Sequence, residues 1–244
     1  MKTHFGFTEV SFEEKKEKVQ AVFSSVASNY DLMNDVMSLG VHRLWKAEAI
    51  RLLDLMPTHH VLDVAGGTGD LTHKIHDRLG TQGHVTLLDY NFNMLQEGRQ
   101  KLLNQGVFEK LSIVQADGQI LPFASNHFDR ISTAFGLRNI PKIPVALAEF
   151  YRVLKPGGKL LILEFSKIHP RLAPLYDPYS FKVIPWMGEK IAQDRASYQY
   201  LVESIRKHPD QGTLVQHLKD AGFTDSRYHN LSFGIVAIHL GEKR

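Results

Sequence analysis

A doubly wound α/β fold with a mostly parallel, seven-stranded sheet is predicted by three observations. First, short apolar runs recur: HVLDVA from residue 60, HVTLLD (84–89), LSIVQAD (111–117), FDRISTAF (128–135) and KLLILEF (159–165). Second, helical spacing over 70–79, 92–104 and 143–154 separates most of them, so consecutive strands run parallel with right-handed helical crossovers covering both faces. Third, the last two runs, FTDSRYHNL and GIVAIHL, have no helix between them. They predict a closing hairpin and an antiparallel edge strand, common on otherwise parallel sheets.

Taken in order, residues 1–55 predict an N-terminal helical cap. EEKKEK (13–18) is a charge cluster, most simply a solvated helix face. Val22, Val26, Met33, Val36, Met37, Leu44, Ile50 and Leu53 fall at helical spacing, interrupted near Ser38-Leu39-Gly40. Residues 56–244 form the main domain. PGG (156–158) reads as a turn. Residues 166–198, which include HPRLAPLYDPYSFKVIPWMG, break the alternation with prolines and aromatics. A segment of that length predicts an insert that serves as a lid or substrate wall. Helical signal returns at 199–207 and 211–221.

Composition narrows the function. The 244 residues carry a net charge of +3 with no dense basic stripe, so no nucleic-acid partner is expected. The chain has no cysteine, which excludes disulfides and thiolate metal sites. The charged N-terminus does not read as a secretory signal, and no apolar run approaches a membrane span. A cytoplasmic protein is expected, with any membrane contact peripheral, at the inner face. His73 and His76 share a predicted helix face but lack a third ligand, so no metal is expected.

The chemistry starts at VLDVAGGTGD (61–70). A dinucleotide fingerprint needs G-x-G-x-x-G between strand and helix. Gly67 and Gly69 supply the first half, but the third position is Thr72, and Gly66 precedes the pair. S-adenosylmethionine has no pyrophosphate and tolerates that change. It needs backbone close to its amino-acid end and a carboxylate for the ribose hydroxyls. Asp89 ends the second strand and suits the ribose. Asp117, with Gly118, ends the third and falls beside the adenine. Asp63, inside the first strand, orients the turn. In open α/β sheets such strand ends converge on one crevice. The cofactor set is therefore Asp63, Gly66, Gly67, Thr68, Gly69, Asp89, Asp117 and Gly118.

Beyond the turn, the chain resembles the ubiquinone/menaquinone biosynthesis C-methyltransferases over nearly its whole length. The resemblance rests on VFSSVASNYDLMNDVMSLGVHRLWK (22–46), VLDVAGGTGDL, FGLRN (135–139), YRVLKPGG (151–158), LEFSK (163–167) and SYQYLVESIRKHPDQ (197–211). It implies a class I methyltransferase (Rossmann-like) fold, S-adenosylmethionine as donor, and methylation of a polyprenylated benzoquinol or naphthoquinol ring carbon. It also implies cofactor contacts at Thr68, Asp89 and Asp117-Gly118. Ala134 stands where the family often has a cofactor-contacting serine, so no side-chain contact is expected there.

FGLRN follows the fourth strand, so Arg138 and Asn139 should face the methyl end. Arg138 is expected to stabilise a forming phenolate, Asn139 to hydrogen-bond a quinol oxygen, and Tyr30 to close the site from the cap. The alternative for Arg138 is a structural ion pair, and for Tyr30 aromatic packing. DPYS (177–180) resembles an amino-methyltransferase motif but follows the wrong strand. Tyr176, Tyr179, Phe181 and Trp186 suit a prenyl-tail groove, lid packing or a homodimer contact. Three other readings stay open: a methyltransferase for another lipid or small molecule, a non-catalytic cofactor-binding scaffold of a quinone-biosynthesis complex, and a dehydrogenase, weakened by Thr72.

Overall fold

The computed structural model describes residues 2–244. The alternation from residue 60 becomes β3 (His60–Val64), α4 (Asp70–His76), β4 (His84–Asp89), α5 (Phe92–Asn104), β5 (Leu111–Gln115), β6 (Phe128–Ala134), α6 (Ile143–Val153) and β7 (Leu154–Phe165). These are preceded by β1 (Lys2–Phe5), β2 (Thr8–Ser11), α1 (Phe12–Val26), α2 (Tyr30–Ser38) and α3 (His42–Leu53). They are followed by α7 (Ala173–Pro178), α8 (Ile184–Met187), α9 (Arg195–Lys207), α10 (Gln211–Asp220), β8 (Thr224–Leu231) and β9 (Val236–Glu242).

The seven-stranded sheet has the order β5-β4-β3-β6-β7-β9-β8. Its first five strands pair in parallel, while β9 pairs antiparallel with both β7 and β8. The closing hairpin thus reverses β9, one place in from the sheet edge. Strand order turns back on itself between β3 and β6, which opens a crevice at their carboxyl ends.

Both faces are dry because successive strand residues point opposite ways. Leu62, Leu160 and Ile162 join Leu147, Phe150, Leu214 and Leu218 on the face covered by α6 and α10. Val61, Leu161 and Leu163 join Ala49, Leu53 and Ile75 on the face covered by α3 and α4. A separate cluster of Val26, Met33, Ile184, Met187, Tyr198 and Val202 joins α1 and α2 to α8 and α9.

Local chemistry sets the element ends. Ser11 caps α1 through a reciprocal capping box: it accepts from the Glu14 N–H, and Glu14 accepts from the Ser11 N–H at 2.7 Å. The break at Ser38-Leu39-Gly40 is a left-handed Leu39 (φ 50°).

Three local expectations change. The N-terminus opens with an antiparallel hairpin, β1–β2, that helical spacing did not signal. EEKKEK is not simply a solvated face. Lys15 is buried, and Lys16 reaches Asp117 at 2.5 Å, because this turn of α1 lies over the sheet's carboxyl end. PGG does not end a strand. β7 continues through it as a bulge, with Gly157 at φ +76°, because the Gly157 N–H and Gly158 C=O pair with Lys243. The insert is a helical arm: α7 and α8 alternate with single π-turns over Tyr179–Val183 and Gly188–Ala192. Asp177 of DPYS pairs with Arg206 at 2.5 Å and so anchors the arm to α9.

Candidate active site

The crevice is built on the turn after β3. Gly67 (φ 55°) and Gly69 (φ 75°) take left-handed backbone that side chains resist, and the Gly69 N–H closes the turn on the Gly66 C=O at 2.9 Å. A Cβ on Gly66 would sit 2.3 Å from Leu87, so this position must be glycine for the turn to lie against β4. Thr72, in the third-glycine place, is fully buried and donates to Asp63 at 2.7 Å. Ser132 of β6 donates to the other Asp63 oxygen at 2.8 Å. Asp63 thus ties turn, helix and neighbouring strand together. Burial pushes its carboxyl up to about 6, against the pull of those two hydroxyls.

Asp89 ends β4 and lines the cleft beside the glycine turn. Its oxygens accept from the Gly67 N–H at 2.9 Å and the Asn91 N–H at 2.8 Å, and each keeps a free lone pair. Burial again dominates and pushes it to about 6. Asp117 differs. Burial pushes its carboxyl up, but Lys16 and Gln119 outweigh that and hold it below the usual range. Thr68 lines the crevice, yet its hydroxyl donates to Asp31 of α2 at 2.8 Å. Asp63, Gly66, Gly67, Thr68, Asp89, Asp117, Gly118, Tyr30 and Asn139 all line one cleft. Gly69 shapes the turn from behind. Ala134 lines the cleft with a methyl group.

Phe23, Tyr30 and Phe135 are shared with a second, mostly apolar cavity of about 320 Å³, walled also by Met33, Leu39, Trp45, Tyr176, Ile184 and Tyr200. Phe135 takes a left-handed φ of 58° to turn the chain between the two. Of FGLRN, Asn139 faces the first cavity and Arg138 the second. Asn139 Oδ1 accepts from the Tyr200 hydroxyl at 2.8 Å, while its buried Nδ2 has no partner among the described residues. An orphaned donor there is an opening for a ligand oxygen.

Arg138 carries the structural ion pair that its alternative reading foresaw. Nη1 meets Glu164 Oε1 at 2.9 Å and the Phe135 C=O, Nε meets Ser204 at 3.4 Å, and the Arg138 N–H also donates to Glu164. Nη2 is the guanidinium nitrogen with no hydrogen bond among the described residues. Burial raises the Tyr30 phenol above its ordinary value despite the nearby Arg138. Tyr30 is therefore a neutral hydrogen-bonding group at neutral pH, not an anionic base.

Five residues escaped the sequence reading as partners: Glu164, Lys16, Asp31, and Lys46 with Asp70, paired at 2.6 Å. Glu164 left a signal, since it is the one acid inside the apolar run KLLILEF. The others lie far from their partners in sequence and left none. His73 and His76 stay apart in role: the first faces Asp77, and the second bonds the Glu109 C=O.

The cleft fits S-adenosylmethionine on three counts: a glycine cradle that a Cβ would fill, a half-buried carboxylate with free lone pairs, and the orphaned Asn139 amide at the far wall.

Known proteins carry the same pattern. The model of the ubiE/COQ5 methyltransferase family matches residues 11–243. The ubiquinone/menaquinone biosynthesis C-methyltransferase UbiE of Francisella philomiragia is 54% identical over 242 residues, 99% of this chain and 97% of that protein. The Legionella pneumophila protein of the same name is 53% identical over the same shares. Among solved structures, a S-adenosyl-L-methionine-dependent methyltransferase from Methanococcus maripaludis superposes with a TM-score of 0.64 at 16% identity, covering 90% of this chain and 93% of that one. That likeness identifies the class I methyltransferase fold. With the family matched from Ser11 to Lys243, this chain belongs to the ubiE/COQ5 methyltransferases.

Proposed function

We propose that this protein transfers the methyl group of S-adenosylmethionine to a ring carbon of a polyprenylated quinol in ubiquinone or menaquinone formation. The observation that carries the reading is the meeting of two cavities at Phe23, Tyr30 and Phe135, one lined by the glycine turn and the carboxylates of Asp89 and Asp117, the other by apolar and aromatic side chains. A quinol with a terpenoid tail needs that pairing.

When bound, the donor supplies a methyl on a cationic sulfonium that departs as a neutral thioether. The residues do the rest. Asp89 and the Gly66–Gly69 turn hold the donor. Asn139 Nδ2 and the Tyr30 hydroxyl orient a ring oxygen across the junction. Arg138, with one nitrogen uncommitted, favours the deprotonated hydroxyl that makes the ortho carbon nucleophilic. Its charge is already shared with Glu164, which moderates the pull. The apolar walls exclude water, so a cation and an anion combine in a dry site. Fixing carbon and methyl in line contributes up to roughly 7–11 kcal/mol in well-aligned systems. The methylated ring carbon then gives up its proton as the ring oxygen takes one, so the aromatic hydroxyl is restored and one proton is released overall to solvent.

Residues 1–55 act as a cap over residues 56–244, and the arm over 166–198 walls the acceptor cavity. Leu39 lines that cavity yet is 88% exposed, and the neighbouring Leu44 and Phe233 are also exposed. This apolar rim suits peripheral contact with the bilayer that holds the tail. No helix among the described residues is long and apolar enough to cross a membrane.

A quinone extract from a strain lacking the protein tests the reading. Accumulation of demethylated quinone, reversed by the wild-type chain, is expected. An unchanged quinone pool would refute it. Purified enzyme offered demethylmenaquinol and methoxy-polyprenyl-benzoquinol separates one substrate from two.

A further inference from the structure

A third cavity, of about 520 Å³, lies between the N-terminal hairpin, the start of α6 and the end of α9. Its wall includes Lys15, Lys142, Lys207, Arg138, His208 and His217, and no Asp or Glu among the described residues. The charge is unbalanced. Arg138 is answered by Glu164, but Lys15, Lys142 and Lys207 make no ion pair among the described residues. Lys15 is only 7% exposed, and its ammonium donates just to the Arg138 C=O at 3.3 Å. A buried ammonium normally has a carboxylate. Burial, and then Arg138, lower its pKa to about 8.

His208 supplies the second, independent observation. It is 5% exposed, and neither ring nitrogen has a partner among the described residues. A neutral imidazole always carries one N–H, so a donor here is always unpaired. His217 Nδ1 is orphaned as well. Buried groups left this way cost stability unless something occupies the space.

We propose that this cavity binds a phosphate group. Three lysines and two histidines line it from different elements, Lys142 with its ammonium 4.6 Å from the centre of the Phe12 ring on the same wall, and a tetrahedral anion accepts from several directions at once. The lysines act as point charges, since the one arginine present already holds a carboxylate. The site is not the donor cleft: the two share only the wall at Ile140 and Pro141. Arg138 borders both this cavity and the acceptor cavity, so a bound phosphate lies beside the residue that serves the quinol. The phosphate belongs to a soluble phosphate ester or to a lipid headgroup, and the shared chemistry is the same.

Two arms test the proposal on the whole chain. Calorimetry with inorganic pyrophosphate reads the soluble source. Cosedimentation with phosphatidic acid vesicles, against phosphatidylcholine vesicles, reads the headgroup. Lys142 and Lys207 are exposed, so Lys142→Gln/Lys207→Gln should fold normally. Each lost charge-assisted bond is worth about tenfold in affinity. The double variant should lose at least that in whichever arm binds. Arg78→Gln/Arg99→Gln removes the same charge from exposed positions elsewhere and should change binding by less than about twofold, since distant surface charges are screened. The His208 ring ¹⁵N signal, assigned with His208→Phe, should move on ligand addition. Binding in only one arm identifies the source. No binding in either, equal weakening by both charge pairs, or an unmoved His208 signal overturns the proposal.

Discussion

In the proposed site, Asp89 links one half-buried carboxyl to cofactor affinity. Its ionised form can accept two ribose hydroxyls, and burial pushes it up to about 6. Protonation removes acceptor capacity, so affinity for S-adenosylhomocysteine should be flat above about pH 7 and fall as pH drops through 6. Calorimetry across that range checks it. Asp89→Asn should abolish the pH dependence and weaken binding by about 2–3 kcal/mol, roughly 30–150-fold. Arg138 holds a buried ion pair with Glu164 and, in the proposed reaction, also serves the chemistry. Removing it strands Glu164, which is 1% exposed at its side chain, at a cost of about 3–5 kcal/mol. Arg138→Ala should therefore lower both the melting temperature and the turnover. Arg138→Ala/Glu164→Gln should recover the melting temperature but not the single-turnover rate. Recovery of both would make Arg138 purely structural. FGLRN marked Arg138 and Asn139 from sequence, but their division between two cavities follows from the backbone turn at Phe135.

At the scale of elements, the insert stands out. Its prolines and aromatics announced a separate task, yet not its helical course. Pro178 and Pro185 each lack the N–H a regular helix uses, and the chain responds with short helices joined by π-turns. The arm is held to the cap by the Tyr179 hydroxyl, which donates to the Met37 C=O at 2.6 Å, and to α9 by Asp177–Arg206. Tyr176 gives the acceptor cavity part of its apolar wall. Tyr176→Ala should raise KM for a long-tailed quinol by about 1–2 kcal/mol, roughly 5–30-fold, from lost apolar contact. With a tail-less analogue its KM should stay near that of wild type. Steady-state kinetics on the two acceptors decides the point. β1–β2 was invisible because KTHF and TEVS are too short to show a period.

Across the whole molecule, α3 packs into the apolar core, whereas α1 and α2 reach the sheet's carboxyl end largely through polar links: Lys16–Asp117, Lys101–Asp31 at 2.5 Å, Thr68 to Asp31, and Asn91 to Gln20 and Ser24. These partly exposed pairs are individually weak and screened by salt. Hydrogen exchange should therefore be faster in α1 and α2 than in β3, β4 and β6, and faster still at high ionic strength. Asp31→Asn/Lys16→Ala should raise exchange in the cap without altering the sheet. Global acceleration instead would mean that cap and sheet unfold together.

The sequence by itself determined the strand–helix alternation, the glycine turn, the strand-end acids and the family, because all of these are local patterns with a fixed period or spacing. The tertiary structure alone decided which charges meet. Glu164 lies 26 residues from Arg138, Lys16 101 from Asp117, and Asp31 37 from Thr68. Such pairs leave no periodic trace, since Coulomb attraction and burial act through space, not along the chain. VLDVAGGTGD thus marked one wall of the cleft, while the shape of the apolar cavity beside it and the basic groups behind Arg138, without ion pairs among the described residues, emerged only once α1 and α2 folded over the sheet.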